Sequence, residues 1–140
     1  MINNDRLLVQ ILLLVVVEEA GQLSLLVDTL DSWGYQAHAS QSGTAALQWL
    51  EAQGVPDLVV LDADMNLFTG VRTLAALFDH GYRGAVLLLA RPDAPPDMDE
   101  LPVMEHLYLI DKPISTLRLL KTVREALEAS AGGVGPQAPM

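Results

Sequence analysis

A three-layer α/β fold, a parallel sheet enclosed between helices, follows from three features of the 140-residue sequence. Aliphatic runs at 11–17, 58–61, 85–89 and 107–110 are apolar continuously rather than alternately, as strands covered on both faces must be. Stretches with apolar residues at helical spacing separate them. A content of 51% hydrophobic but only 5% aromatic residues describes a single aliphatic-rich core.

The elements follow in order. The first run belongs to eleven nearly all-apolar residues, 7–17, where a membrane span needs roughly 20. It lacks the basic flank of a signal peptide and runs into Glu18-Glu19, so it is a buried strand, expected in a cytoplasmic protein. Leu23, Leu26, Val27 and Leu30 then mark a helix that stops at Gly34. Residues 35–39 alternate apolar with polar, the pattern of an edge strand. Ser42 caps a second helix carrying Ala46, Leu47 and Leu50 before Gly54. A third starts near Gly70, turns Val71, Leu74, Leu77 and Phe78 inward, and ends at Gly81. After the fourth strand, Pro92, Pro95, Pro96 and Pro102 predict a loop with at most a short helix, since an interior proline costs about 3 kcal/mol. Between Asp93 and Asp111 there are six acids and no Lys or Arg, so this loop is a negative patch. Ser115 caps the last helix, with Leu117, Leu120, Val123 and Leu127 on one face and Arg118, Lys121 and Arg124 outside it. The domain then covers 8–130, with 1–7 an extension and the Gly- and Pro-rich 131–140 a disordered tail.

The edge-type second strand and right-handed crossovers select the flavodoxin-like (βα)5 sandwich, with sheet order 2-1-3-4-5 and its switch point between strands one and three. Ligands bind at the carboxyl ends there. The sequence places acids at those ends: Glu18 and Glu19 after strand one, Asp62 ending strand three, and Asp64 two residues on. Converging carboxylates repel unless a cation neutralises them, so an oxygen-liganded divalent ion, Mg2+, is expected. Glu18 and Glu19 also have a simpler use, beside the positive N-terminus of the first helix. Lys112, one of two lysines, follows strand five and reaches the same crevice. An ammonium beside a carboxylate and a metal suits a phosphoryl group, with Asp62 as the nucleophile.

Composition excludes other classes. Eighteen acids against eight bases give a formal charge of -10, which repels a nucleic-acid backbone over most of the surface. With no cysteine, thiolate metal sites and Cys nucleophiles are absent. His38, His80 and His106 share no ligand spacing and are structural or surface residues.

Over roughly residues 8–130 the chain resembles the response-regulator receiver domain, the CheY-like family. Val17-Glu18-Glu19 resembles its acidic pair, Leu61-Asp62 with Gly70 eight residues later its phosphoacceptor and following glycine, Lys112-Pro113 its Lys-Pro, and the segment from Ser42 to Leu47 the start of its second helix. The resemblance implies a signalling module rather than an enzyme. Asp62 would accept a phosphoryl group from a histidine kinase or histidine phosphotransfer protein. Glu18, Glu19, Asp62 and the backbone carbonyl of Asp64 would bind Mg2+, and Lys112-Pro113 would be a cis peptide. No effector domain follows, so the output would be another protein; a homodimer through strand five and the last helix is a further expectation. The chain departs from the pattern at several positions. Both acids of the pair are Glu, Ala90 replaces the hydroxyl residue ending strand four, Leu109 replaces the aromatic switch residue of strand five, and Asn66 stands where proline is common. These departures favour an alternative, a degenerate receiver that binds partners without phosphorylation. A haloacid-dehalogenase-like phosphatase reading of Asp62-Ala63-Asp64 is a remote alternative, because that motif belongs on the first strand of a longer chain and here lies on the third. An FMN module is disfavoured by Glu18-Glu19 where a phosphate loop would lie.

Overall fold

The computed structural model describes residues 11–65 and 69–132. The extension 1–7, Asn66 and residues 133–140 lie outside the described residues. The elements are β1 (Leu12–Val16), α1 (Ala20–Ser32), β2 (Gln36–Ser40), α2 (Gly43–Gln53), β3 (Leu58–Asp62), α3 (Gly70–Asp79), β4 (Ala85–Ala90), a short 3-10 turn (Met98–Glu100), β5 (Leu107–Asp111) and α4 (Thr116–Gly132). All strand pairs are parallel, in the order β2-β1-β3-β4-β5, which is the flavodoxin-like α/β architecture expected.

The apolar strands divide their side chains between two cores by the two-residue period of a strand. Leu13, Val15, Val60 and Leu87 face α1 and α4; Leu14, Val16, Val59 and Leu88 face α2 and α3. The helix boundaries have local causes. Ser42 Oγ accepts from Ala45 N–H at the start of α2, Ser115 Oγ from Arg118 N–H at the start of α4, and Thr69 Oγ1 from Arg72 N–H at the start of α3. Gly34, Gly54 and Gly81 follow the ends of α1, α2 and α3 with φ near +97°, a conformation that suits glycine. The proline-rich segment forms a loop whose only helical piece is the 3-10 turn.

Three expectations need correction. The run 107–110 does not form a strand covered on both faces: only Ile110 is buried, Leu107 and Tyr108 are half-buried, and Leu109 is 43% exposed rather than core. β5 is the outer edge of the sheet, and the prolines that prevent a full helix before it also leave its outer face uncovered. On α4 the buried face is Leu119, Leu120, Val123 and Ala126, whereas Leu117 is 76% exposed. At about 100° per residue, Leu117 lies roughly 130° from the centre of that face. α4 also runs to Gly132, two residues into the stretch read as a tail. Among the described residues, no helix is long and apolar enough to cross a membrane.

Candidate functional site

Two strand ends at the switch point carry the acids, and the fold treats them differently. At the end of β3, parallel pairing sets Asp62 opposite Leu89 of β4, and Ala63 N–H continues the ladder to Leu89 C=O at 2.8 Å. Asp62 is therefore held in the sheet, with only 4% of its surface exposed. Its Oδ1 accepts from Asp64 N–H at 3.0 Å, an aspartate turn that fixes the chain leaving the strand. At the end of β5, Lys112 N–H bonds Ala90 C=O at 2.9 Å, and the Lys112-Pro113 peptide is cis. This anchors Lys112 so that its Nζ donates to Asp62 Oδ1 at 2.6 Å and to Asp64 Oδ2 at 3.0 Å. Burial pulls the Lys112 ammonium pKa down, but the hydrogen bonds and charges of Asp62 and Asp64 more than offset this and leave it above the ordinary lysine value.

α3 presses on the same strand end. A Cβ on Gly70 would fall well inside contact distance of the Asp62 carbonyl oxygen and 2.5 Å from Ala63 Cα, so the helix can start there only on a residue without one. Met65, just after the turn, is 4% exposed and belongs to the core shared with α2 and α3.

At the end of β1, Glu19 is the N-cap of α1: its carboxylate accepts from Gln22 N–H at 2.7 Å and Gly21 N–H at 3.1 Å. It thus takes the helix-end role open to either glutamate. Glu18 is half-buried and engaged with a partner of its own, while its carbonyl accepts from Gln41 Nε2 at 3.2 Å. Among the described residues, no group of three or more His, Asp or Glu gathers so as to hold a metal ion. Of the expected Mg2+ donors, Glu19 is spent on capping α1 and the Asp62 carboxylate is occupied by Lys112, which it shares with the Asp64 side chain, so these side chains as arranged do not converge on one ion and the Mg2+ expectation does not fit.

Of the other expected site residues, Ala90 offers a buried methyl at the end of β4, Pro113 is exposed, and Leu109 is exposed on the sheet edge. One residue was missed. Arg91 directly follows Ala90, and its Nε lies 3.6 Å from Asp64 Oδ2. The signal was available: a cation directly after a strand whose end lies level with Asp62.

A family model described as the response regulator receiver domain matches residues 13–124. The chain belongs to this receiver family. Solved structures agree on the fold. The Vibrio cholerae chemotaxis protein CheY4 aligns with a TM-score of 0.72 at 22% identity, over 82% of this chain and 97% of that one. The signal receiver domain of an HD domain-containing protein from Pseudomonas fluorescens Pf-5 aligns at 0.73 and 26%, over 86% and 97%. The N-terminal domain of a response regulator/sensory box/GGDEF protein from Carboxydothermus hydrogenoformans aligns at 0.77 and 21%, over 89% and 99%. No curated protein matches the sequence.

Proposed function

We propose that this receiver is the phosphoacceptor of a two-component relay, modified on Asp62 in the cytoplasm by a histidine kinase or histidine phosphotransfer protein, and an acceptor of signal rather than an enzyme. The observation that carries this reading is the pairing of a buried Asp62 with Lys112. Both of the carboxylate's hydrogen bonds fall on Oδ1, so among the described residues Oδ2 is the oxygen left to attack. In the transfer, Oδ2 forms a bond to phosphorus as the donor's P–N bond breaks, and the imidazole leaves with that electron pair and a proton on its other nitrogen. Lys112 meanwhile neutralises the charge gathering on the phosphoryl oxygens. Mg2+ is given no step, because the donor set does not fit it.

A second reading, a receiver that binds partners without phosphorylation, is favoured by Ala90, which has no hydroxyl to hold a phosphoryl oxygen, and by Leu109, which is neither aromatic nor enclosed. The open β5 edge would suit a homodimer or an output protein, whereas Lys121 and Arg124 line a groove with Trp33 and Tyr35 on another side of α4. Intact-protein mass after incubation with a small acyl phosphate separates the two readings. The first expects a gain of one phosphoryl group in the wild type and none in Asp62→Asn. No gain in a folded protein leaves the second reading standing, and a gain retained by the variant removes Asp62 from the role.

A further inference from the structure

The carboxyl end of the sheet brings two cations to two carboxylates. Lys112 bridges Asp62 and Asp64, and Arg91 Nε lies 3.6 Å from the same Asp64 Oδ2 that Lys112 contacts. Two negative charges meet two positive ones, so this part of the crevice is neutral without any added ion. Glu19, another of the acids expected to draw a cation, is instead stabilised by hydrogen bonds from the backbone N–H groups of α1.

Arg91 is not a chance surface neighbour in its backbone. Its carbonyl accepts from Ala94 N–H at 3.1 Å in a tight turn directly after β4, and the preceding residue, Ala90, anchors Lys112 through its own carbonyl. The two cations are thus held by adjacent residues of one strand end. The Arg91 side chain is 55% exposed, so its resting ion pair with Asp64 is screened and weak. It is therefore available to an incoming anion, for which a planar guanidinium with several donors is well suited.

We propose that the charges of Asp62 and Asp64 are balanced from within, by Lys112 and Arg91 rather than by a divalent cation, and that Arg91 binds the anionic oxygens of a phosphoryl group on Asp62. The second half rests on the phosphoacceptor reading; the first does not. Ala90, which supplies no hydroxyl, leaves the neighbouring Arg91 as the donor from that strand end. Phosphorylation adds negative charge to a site whose resting charges cancel, and Arg91 is the cation with freedom to move toward it.

The test uses the full chain with acetyl phosphate, in EDTA and in Mg2+, read by intact mass for the wild type, Arg91→Ala and Arg91→Lys. The expected result is labelling of the wild type to a similar extent in both buffers. In EDTA, Arg91→Ala should lose about tenfold in labelling rate, less than a fully enclosed oxyanion donor would cost, while Arg91→Lys keeps most of it. Wild-type labelling that requires Mg2+, or an Arg91→Ala variant as fast as the wild type in EDTA, overturns the proposal. If a folded wild type takes no label in either buffer, the phosphoacceptor reading fails and calorimetric titration with Mg2+ alone decides the rest. Binding that Asp64→Asn abolishes would refute internal neutralisation, and no binding heat at millimolar Mg2+ would uphold it.

Discussion

The carboxyl ends of β1 and β3 each deliver acids to the same switch point, and each resolves the charge in its own way. At β1, Glu19 turns back onto the first turn of α1 and is satisfied by backbone N–H groups within three residues of itself. At β3, Asp62 and Asp64 are satisfied from far along the chain, by Lys112 fifty and forty-eight residues away and by Arg91. One end is a local capping motif and the other a tertiary ion cluster. The comparison teaches that carboxylates gathered by a topology need not converge on one ion, because each can find a nearer counter-charge.

The largest way to break this contrast is to remove Lys112, which touches both Asp62 and Asp64. Lys112→Met leaves Asp62 buried without its ammonium, and a loss of roughly 2–4 kcal/mol in denaturant unfolding is expected. Adding Asp62→Asn should recover much of it, because the stranded charge is gone. The pH dependence has a definite sign. Lys112 is raised in the folded state, so its stabilisation is fully present below the unfolded lysine value of about 10.4 and is lost as pH rises through the folded value. Tyr82, pushed up by burial, loses stability in the same direction from about pH 10. Alkaline unfolding in Lys112→Met should therefore be shallower than in the wild type but not absent, and an unchanged slope would take Lys112 out of the balance.

Next in size is Gly70→Ala, whose Cβ meets the backbone of Asp62 and Ala63 rather than a movable side chain. A cost of roughly 2–3 kcal/mol is expected, read by thermal or denaturant unfolding. Displacement of the Asp62 turn should also show in the chemical shift of Asp64 N–H. A variant as stable as the wild type would mean that α3 can retreat from β3 without loss.

Most of this architecture was legible in the sequence because the signals are local. The aliphatic runs, the Ser42 and Ser115 caps and the glycines after three helices each act within a few residues. Asp62 and Lys112 were legible as neighbours because parallel order and strand ends fix which residues meet. What escaped was set by tertiary context. The exposure of β5 follows from the absence of a full helix before it, and the choice between metal ligand and helix cap for Glu19 is decided by a rotamer that sequence does not specify. Arg91 escaped because a cation after a strand acquires a role only once the turn at Ala94 and the position of Asp64 are known.

The β1 end supplies the smaller tests. Glu19→Ala removes the cap of α1 and should cost about 1 kcal/mol, equally in EDTA and in Mg2+. A cost that appears only with Mg2+ would return Glu19 to metal binding and erase the contrast with β3. Gly21→Ala should be smaller still. Its Cβ would sit 3.2 Å from Glu19 Oε2, the far end of a side chain that can yield by a few tenths of an ångström. The helical preference of alanine, up to about 1 kcal/mol, opposes that strain and brings the net change to within about 0.5 kcal/mol of zero. Set beside Gly70→Ala, the same added methyl group then distinguishes a site clamped by backbone from one held by a single adaptable carboxylate. A Gly21→Ala variant destabilised as much as Gly70→Ala would mean that the Glu19 cap is as rigid as the β3 turn.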